Sequence, residues 1–100
     1  MPFRGDQSVL SSGAFAPPMA ALEKAVIERA KKDPATATEY FLSMIERRPS
    51  PGSDEQAVYV LGMGIAAEQQ GDIMDALDYY LGAEVLGNQT ASKAAQRLQK

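Results

Sequence analysis

The residues that could do acid–base chemistry cluster around one predicted turn of the chain. Glu68, Asp72 and Asp75 flank this turn, and Tyr79 and Tyr80 follow it. Paired carboxylates act as general acid and base only in an enclosed site that separates their pKa values, and a solvated turn offers no enclosure. The sequence contains no His and no Cys, which excludes disulfides, thiolate metal sites and the commonest general base. We therefore expect no catalytic residue, no metal site and no cofactor.

Two glycines, Gly62 and Gly64, do not match a phosphate-binding loop. Such a loop needs a further glycine and follows a strand, whereas these two lie inside a predicted helix. A helix position without a side chain instead favours close packing. We expect Gly64 on one helix and Ala76 on the next to let the two axes approach to about 8 Å, the short end of the usual range.

The charge of the chain is distributed unevenly. The formal net charge is −3, yet residues 49 to 92 contain no Lys or Arg and carry seven carboxylates, at Asp54, Glu55, Glu68, Asp72, Asp75, Asp78 and Glu84. A surface of one sign repels phosphate backbones and attracts cations, so we expect no nucleic-acid binding and a basic partner. The alternative is a solvated acidic face that keeps the protein soluble.

The sequence shows no sign of a membrane segment or a targeting segment. No apolar run approaches the roughly 18 residues that a membrane helix requires. The first six residues, MPFRGD, lack the apolar core of a signal peptide and the acid-free composition of a transit peptide. We expect a soluble chain with an intracellular, cytoplasmic location.

Hydrophobic periodicity predicts an all-α fold, because five segments show helical spacing and none alternates with a period of two. Residues 1–18 contain Gly, Ser and a Pro17–Pro18 pair without periodicity, which indicates a flexible N-terminal arm. Residues 19–100 form the helical domain. The predicted helices cover residues 19–32, 34 or 35 to 48, 54 to about 70, 73 to about 86, and 89 or 90 to 98, with a Pro-rich break at 49–53. Ser53 or Asp54 is expected to cap the third of them. Asp72 is expected to cap the fourth helix through its side chain.

Small residues at fixed offsets, with bulky ones between them, mark the third and fourth helices. Val60, Met63, Gly64, Ala67, Gly71, Asp72, Ala76, Tyr80 and Ala83 follow this spacing. The pattern resembles the tetratricopeptide (TPR) repeat, a helix-turn-helix unit of about 34 residues. Val60 stands where the family has Trp, Ala67 where it has Tyr, and Asn88 where it has Pro. An ordinary helical hairpin is the alternative interpretation.

The first hairpin shares part of this spacing, because Ala37, Phe41 and Pro49 are separated as Ala76, Tyr80 and Asn88 are. The resemblance therefore implies two stacked TPR-like helical hairpins followed by a C-terminal capping helix.

Two branches of the TPR superfamily are also similar to parts of the chain. Residues 54–80 resemble the TPR-like adaptors of mitochondrial fission, and residues 32–42 resemble the helix that enters the presequence receptors of the mitochondrial outer membrane. Both kinds of relative are membrane-anchored. Such kinship implies association with mitochondria, binding in a concave groove and, for the receptors, binding of basic amphipathic helices.

The leading functional prediction is a non-catalytic protein–protein interaction module, an adaptor or receptor that binds a basic amphipathic peptide or helix in a concave groove. Glu68 is expected to select the partner's positive charge. The alternatives are that Leu61 and Ile65 are simply core residues, and that the chain is a small structural subunit of a larger complex. The predicted partner-binding residues are Leu22, Val26, Arg29, Val58, Leu61, Ile65, Glu68 and Gln69.

Overall fold

A computed structural model describes residues 16–47 and 54–99 of the chain. These residues form five α-helices and no strand: α1 (Ala16–Lys32), α2 (Pro34–Arg47), α3 (Asp54–Gln69), α4 (Ile73–Val85) and α5 (Gln89–Leu98). The predicted all-α class is confirmed. None of these helices combines the length and the apolar character needed to cross a membrane.

The helix bounds differ from the predicted ones mainly at the start of α1. This helix begins at Ala16, so Pro17 and Pro18 lie in its first turn. A proline is tolerated there because the first backbone N–H groups of a helix have no intrahelical acceptor. The rest of the predicted arm, residues 1–15, and the predicted break at 49–53 lie outside the described residues.

Helix α3 is the centre of the fold. It packs against α1, α2 and α4, while α5 packs against α4 and the interface between α1 and α2 is the smallest of the set. Ten of the 16 residues of α3 are buried, and they surround the helix axis. A helix that is apolar on all sides is one that neighbours must cover completely. The core is therefore built around one helix that all three neighbours share.

Glycines allow these neighbours to approach α3 closely. A Cβ atom on Gly62 would lie 2.4 Å from Val26 Cγ1 on α1 and 2.6 Å from Phe41 Cε2 on α2. A Cβ atom on Gly64 would lie 2.7 Å from the Tyr80 ring and 3.3 Å from the carbonyl oxygen of Ala76. The close approach expected at Gly64 and Ala76 is present, and Gly62 provides a second one that sequence analysis did not identify.

Left-handed glycines end α3 and α4. Gly71 has φ +82° and Gly87 has φ +99°, a backbone conformation that glycine adopts without steric cost. After α3, the N–H of Asp72 donates to the carbonyl oxygen of Ala67 at 2.9 Å and that of Gly71 to Glu68 at 3.0 Å. This pattern is a Schellman motif, which satisfies the last carbonyl groups of the helix.

Helices α4 and α5 differ in how their first backbone N–H groups are capped. Asp72 occupies the N-cap position of α4, but its side chain makes no capping hydrogen bond, so the predicted side-chain cap is wrong. Asn88 caps α5, because its Oδ1 accepts from the N–H of Ala91 at 2.7 Å. Asn88 thus starts α5 with a side-chain cap.

Candidate functional site

An open cleft of about 290 Å³ lies between α1, α3 and α5, with Tyr80 of α4 beneath it. Apart from Tyr80, the residues that line it come from these three helices, and they divide into an apolar floor and a polar rim. The floor consists of Ile27, Leu61, Ile65 and Ala94, and the rim consists of Lys31, Glu68, Gln69, Thr90 and Arg97. Four of the eight predicted partner-binding residues, Leu61, Ile65, Glu68 and Gln69, are therefore together in this cleft.

Glu68 of α3 connects this helix to α4 and α5 at the rim of the cleft. Its carboxylate accepts two hydrogen bonds from the Arg97 guanidinium, at 2.7 and 2.8 Å, and a third from the Tyr80 hydroxyl at 2.7 Å. The Glu68 side chain is 23% exposed and that of Arg97 56%. Bidentate geometry makes this pair stronger than a typical surface ion pair. It therefore fixes α5 against α3 and α4.

The same contacts shift the pKa values of Glu68 and Tyr80. Hydrogen bonding to Arg97 lowers the pKa of Glu68, against an opposing effect of burial and with help from Tyr80. Burial, with the Glu68 carboxylate as the second cause, raises the pKa of the Tyr80 phenol. Tyr80 is only 1% exposed, so its hydroxyl needs an acceptor inside the fold, and Glu68 provides it.

Glu68 is therefore not a free carboxylate in this structure. The sequence-based hypothesis gave it the role of selecting a cationic partner, but Arg97 already neutralises it. The rim also holds Lys31, so its formal charge is not negative. Any charge selection at the cleft would have to displace Arg97 from Glu68.

Substitution of Glu68 by glutamine is expected to destabilise the fold at pH 7 by about 1–3 kcal/mol, because hydrogen bonds to a charged group are lost. The effect should depend on pH. The folded-state pKa of Glu68 lies below the ordinary value of 4.5, so its stabilisation is complete above pH 4.5 and disappears as the pH falls through the lowered value. Urea unfolding of both proteins at pH 7, 4.5 and 3 measures this.

At pH 7, replacement of the exposed Glu28 by glutamine serves as the control and should change the unfolding free energy by less than about 0.5 kcal/mol. A difference between the parent chain and Glu68→Gln that stays constant from pH 7 to pH 3 would contradict the charged pairing.

A second carboxylate, Glu23, lies outside the cleft and also connects two helices. Its oxygens accept from Thr90 Oγ1 at 2.9 Å and from Asn88 Nδ2 at 3.0 Å, which joins α1 to the start of α5. Val58, another predicted binding residue, lies beyond this contact, in a separate depression that Thr90 also borders. Val58 is 2% exposed and belongs to the core.

The three predicted residues of α1 lie on a different surface. Leu22, Val26 and Arg29 line a groove of about 260 Å³ between α1 and α2, together with Phe41 and Tyr59. The guanidinium of Arg29 lies 3.9 Å from the centroid of the Tyr40 ring, a cation–π contact. The structure therefore does not bring the predicted residues of α1 and α3 into one groove.

The rotation of α1 about its own axis explains why its predicted residues do not line the cleft. Its apolar stripe includes Val26 and Ala30, which are buried in the core. The cleft is lined instead by Ile27 and Lys31, one position further on. One feature of the sequence could have indicated this lining. Ile27 is an apolar residue outside the stripe, and it lies four positions before Lys31, on the same face of the helix. Ala94 and Arg97 were missed because α5 was interpreted only as a polar cap.

The carboxylates near the turn after α3 do not form one cluster. Glu68 binds Arg97 and Tyr80, whereas Asp75 interacts with Asp72, whose hydrogen bond and negative charge raise the pKa of Asp75. Within residues 16–47 and 54–99, no group of three or more carboxylates is arranged to hold a metal ion. The geometry of the cleft is suited to binding through its apolar floor.

Comparison of the chain with protein-family models, with curated proteins and with solved structures found no significant match.

Proposed function

We propose that this protein is a non-catalytic interaction module that binds a segment of a partner protein in the cleft between α1, α3 and α5. One observation carries the proposal: three helices that are distant in sequence converge on an open cleft with an apolar floor, while its principal carboxylate is already paired. A concave surface with an apolar floor and a few polar groups at its edge is the usual form of a binding site.

A TPR-like organisation is part of this proposal. In that arrangement the first helix of each hairpin lines the concave face, and here α1 and α3 do so together with α5. The spacing of Gly64, Ala76 and Tyr80 supports it, since the Gly64 position lies directly against the Tyr80 ring and close to Ala76. The small interface between α1 and α2 is a departure, because a regular hairpin packs its two helices closely.

The chemistry of the cleft favours a segment anchored by apolar side chains. The floor offers Ile27 and Ala94 as its more accessible residues, since both are half-buried, whereas Leu61 is fully buried. Exposed ion pairs each contribute only about 0–1 kcal/mol, so apolar contact must provide most of the affinity. Binding in the cleft should consequently change little with salt concentration.

Substitution of Ala94 by arginine is expected to block the cleft and weaken binding at least about tenfold, which corresponds to about 1.4 kcal/mol. Peptides for the measurement are first selected from a phage-displayed random library on the immobilised full chain. Their affinities for the parent chain and for Ala94→Arg are then compared by isothermal titration calorimetry, after circular dichroism has shown that the helical content is unchanged.

Ala25→Arg is the matched control, because Ala25 is exposed and lines the groove between α1 and α2. This variant should bind the selected peptides as the parent chain does. Normal binding by Ala94→Arg together with loss of binding by Ala25→Arg would move the site to the groove between α1 and α2 and refute the proposal.

A second candidate function is a structural subunit of a larger assembly. One observation favours it: large apolar side chains are exposed on the outer face of α4, where Met74 is 76% and Val85 is 85% exposed. Such residues would be covered by a permanent partner.

A further inference from the structure

Helix α4 carries a second apolar surface that extends from the edge of its core contact into solvent. Met74, Leu77, Leu81 and Val85 are spaced by three, four and four residues, which places them within an arc of roughly 80° on a helix of 3.6 residues per turn. We call these four residues the α4 stripe. Met74 and Val85 are 76% and 85% exposed, and Leu77 and Leu81 are half-buried against the core.

The exposed part of the α4 stripe, Met74 and Val85, is not needed to attach α4 to the fold. The opposite side of the helix provides that contact through Ala76, Tyr80 and Ala83, each at most 1% exposed. Apolar side chains of α4 that remain in water do not stabilise the fold, because they bury no hydrophobic area there. Contiguous apolar patches on soluble proteins commonly mark interaction sites.

Carboxylates border the stripe on both sides. Asp78 lies along one edge, with Asp75 further round the same side of the helix. Glu84 lies along the other edge, where it accepts a hydrogen bond from Ser92 Oγ at 2.8 Å. Helix α4 contains no basic residue. Asp75 is fully exposed, and its pKa is raised because the carboxylate of Asp72 lies beside it. A cation placed between these two groups would relieve their repulsion.

This charge pattern discriminates between possible occupants. A second copy of the chain would place the carboxylates of one α4 against those of the other, which opposes association. The anionic surface of a cytoplasmic membrane leaflet would repel the stripe for the same reason. A helix with an apolar face and flanking Lys or Arg residues meets both requirements, burial of the stripe and neutralisation of its borders.

We infer that the α4 stripe is a docking surface for a basic amphipathic helix of a partner protein. The stripe extends over 11 residue steps, about 17 Å, which matches about three turns of a partner helix. The surface is independent of the cleft, because the cleft is lined by α1, α3, α5 and Tyr80, and no residue of the α4 stripe lines it. The basic partner suggested by the acidic stretch is thus assigned to the outside of α4 and not to Glu68.

A pair of fluorescein-labelled peptides tests the inference on the full chain. Both are about 18 residues long and helical, with leucine on one face, and they differ only in carrying lysine or glutamate at every flanking position. Fluorescence anisotropy should show binding of the lysine peptide and at least about tenfold weaker binding of the glutamate peptide. Backbone chemical-shift changes should map to α4.

Substitutions on the exposed part of the stripe should weaken binding without disturbing the core. Met74→Ser combined with Val85→Ser is expected to lower affinity for the lysine peptide about tenfold, and Asp75→Lys combined with Asp78→Lys by at least as much. Leu42→Ser on α2 is the matched control, because Leu42 is also exposed, at 47%, and should leave binding unchanged.

Three outcomes would overturn the inference. The first is equal binding of the two peptides, or no binding of either. The second is loss of binding in Ala94→Arg with normal binding by the Met74→Ser, Val85→Ser variant, which would place the peptide in the cleft. The third is a concentration-dependent dimer in sedimentation equilibrium that the Met74→Ser, Val85→Ser variant abolishes, which would identify a second copy as the occupant.

Discussion

Replacement of Phe41 by alanine is expected to lower the free energy of unfolding by about 3–5 kcal/mol, the range for deleting a buried aromatic side chain. Phe41 is 1% exposed, and its ring stacks on that of Tyr59 with the centroids 6.1 Å apart. The ring also lies against Gly62, which has no side chain to fill the space that the ring would leave. Urea unfolding followed by circular dichroism measures the loss.

The adjacent residue provides the control for this substitution. Leu42→Ala removes a side chain from the same helix, but Leu42 is 47% exposed, so the loss should stay below about 1 kcal/mol. Because small domains are stable by only about 5–15 kcal/mol, Phe41→Ala should be marginally folded while Leu42→Ala is nearly unchanged. Equal losses would show that α2 does not pack on α3 through Phe41.

Gly62→Ala should destabilise the fold by about 1–3 kcal/mol, although alanine is a much better helix former than glycine. The new methyl group would lie 2.4 Å from Val26 Cγ1 and 2.6 Å from Phe41 Cε2. Val26 and Phe41 are both buried, on two different helices, so neither can move aside without disturbing its own contacts. The cost of overpacking must therefore exceed the gain in helix propensity.

The same substitution at Gly82 should have the opposite effect on stability. Gly82 lies in α4 and is exposed, and a Cβ atom there would meet only Val60 Cγ1, at an ordinary contact distance of 3.8 Å. Gly82→Ala should therefore stabilise the fold by about 0.4–1 kcal/mol, mainly by restricting the unfolded chain. Thermal unfolding of the two variants side by side gives the comparison, and stabilisation by both would contradict the close contact of α3 with α1 and α2.

The helices could be predicted from the sequence because their signals are local. Apolar residues at helical spacing, the prolines near residues 34 and 49, and glycines at 71 and 87 define each segment within a few positions. The start of α1 was placed late because a Pro–Pro pair is typical of a loop as well as of a first helical turn. The predicted Asp72 cap is wrong because the Asp72 side chain interacts with Asp75 and not with the backbone N–H groups of α4.

The grouping of residues in the candidate cleft could be predicted only where one helix defines it. Leu61, Ile65, Glu68 and Gln69 follow one face of α3, so its periodicity was sufficient to group them. The pairing of Glu68 with Arg97 joins residues 29 positions apart, and no local pattern encodes it. The phase of α1 relative to α3 depends on the contact of Val26 with Gly62, which again becomes visible only when the helices are packed together.

The central position of α3 has a consequence for how the chain acquires its fold during synthesis. Domains usually form as they leave the ribosome, N-terminal parts first. Here α1 and α2 share little surface with each other, and the side chains they bury, such as Val26 and Phe41, are covered by α3. Helix α3 in turn stays exposed along the side that Ala76 and Tyr80 of α4 will cover. We therefore expect α1 and α2 to reach their final packing only after α3 and α4 have been synthesised.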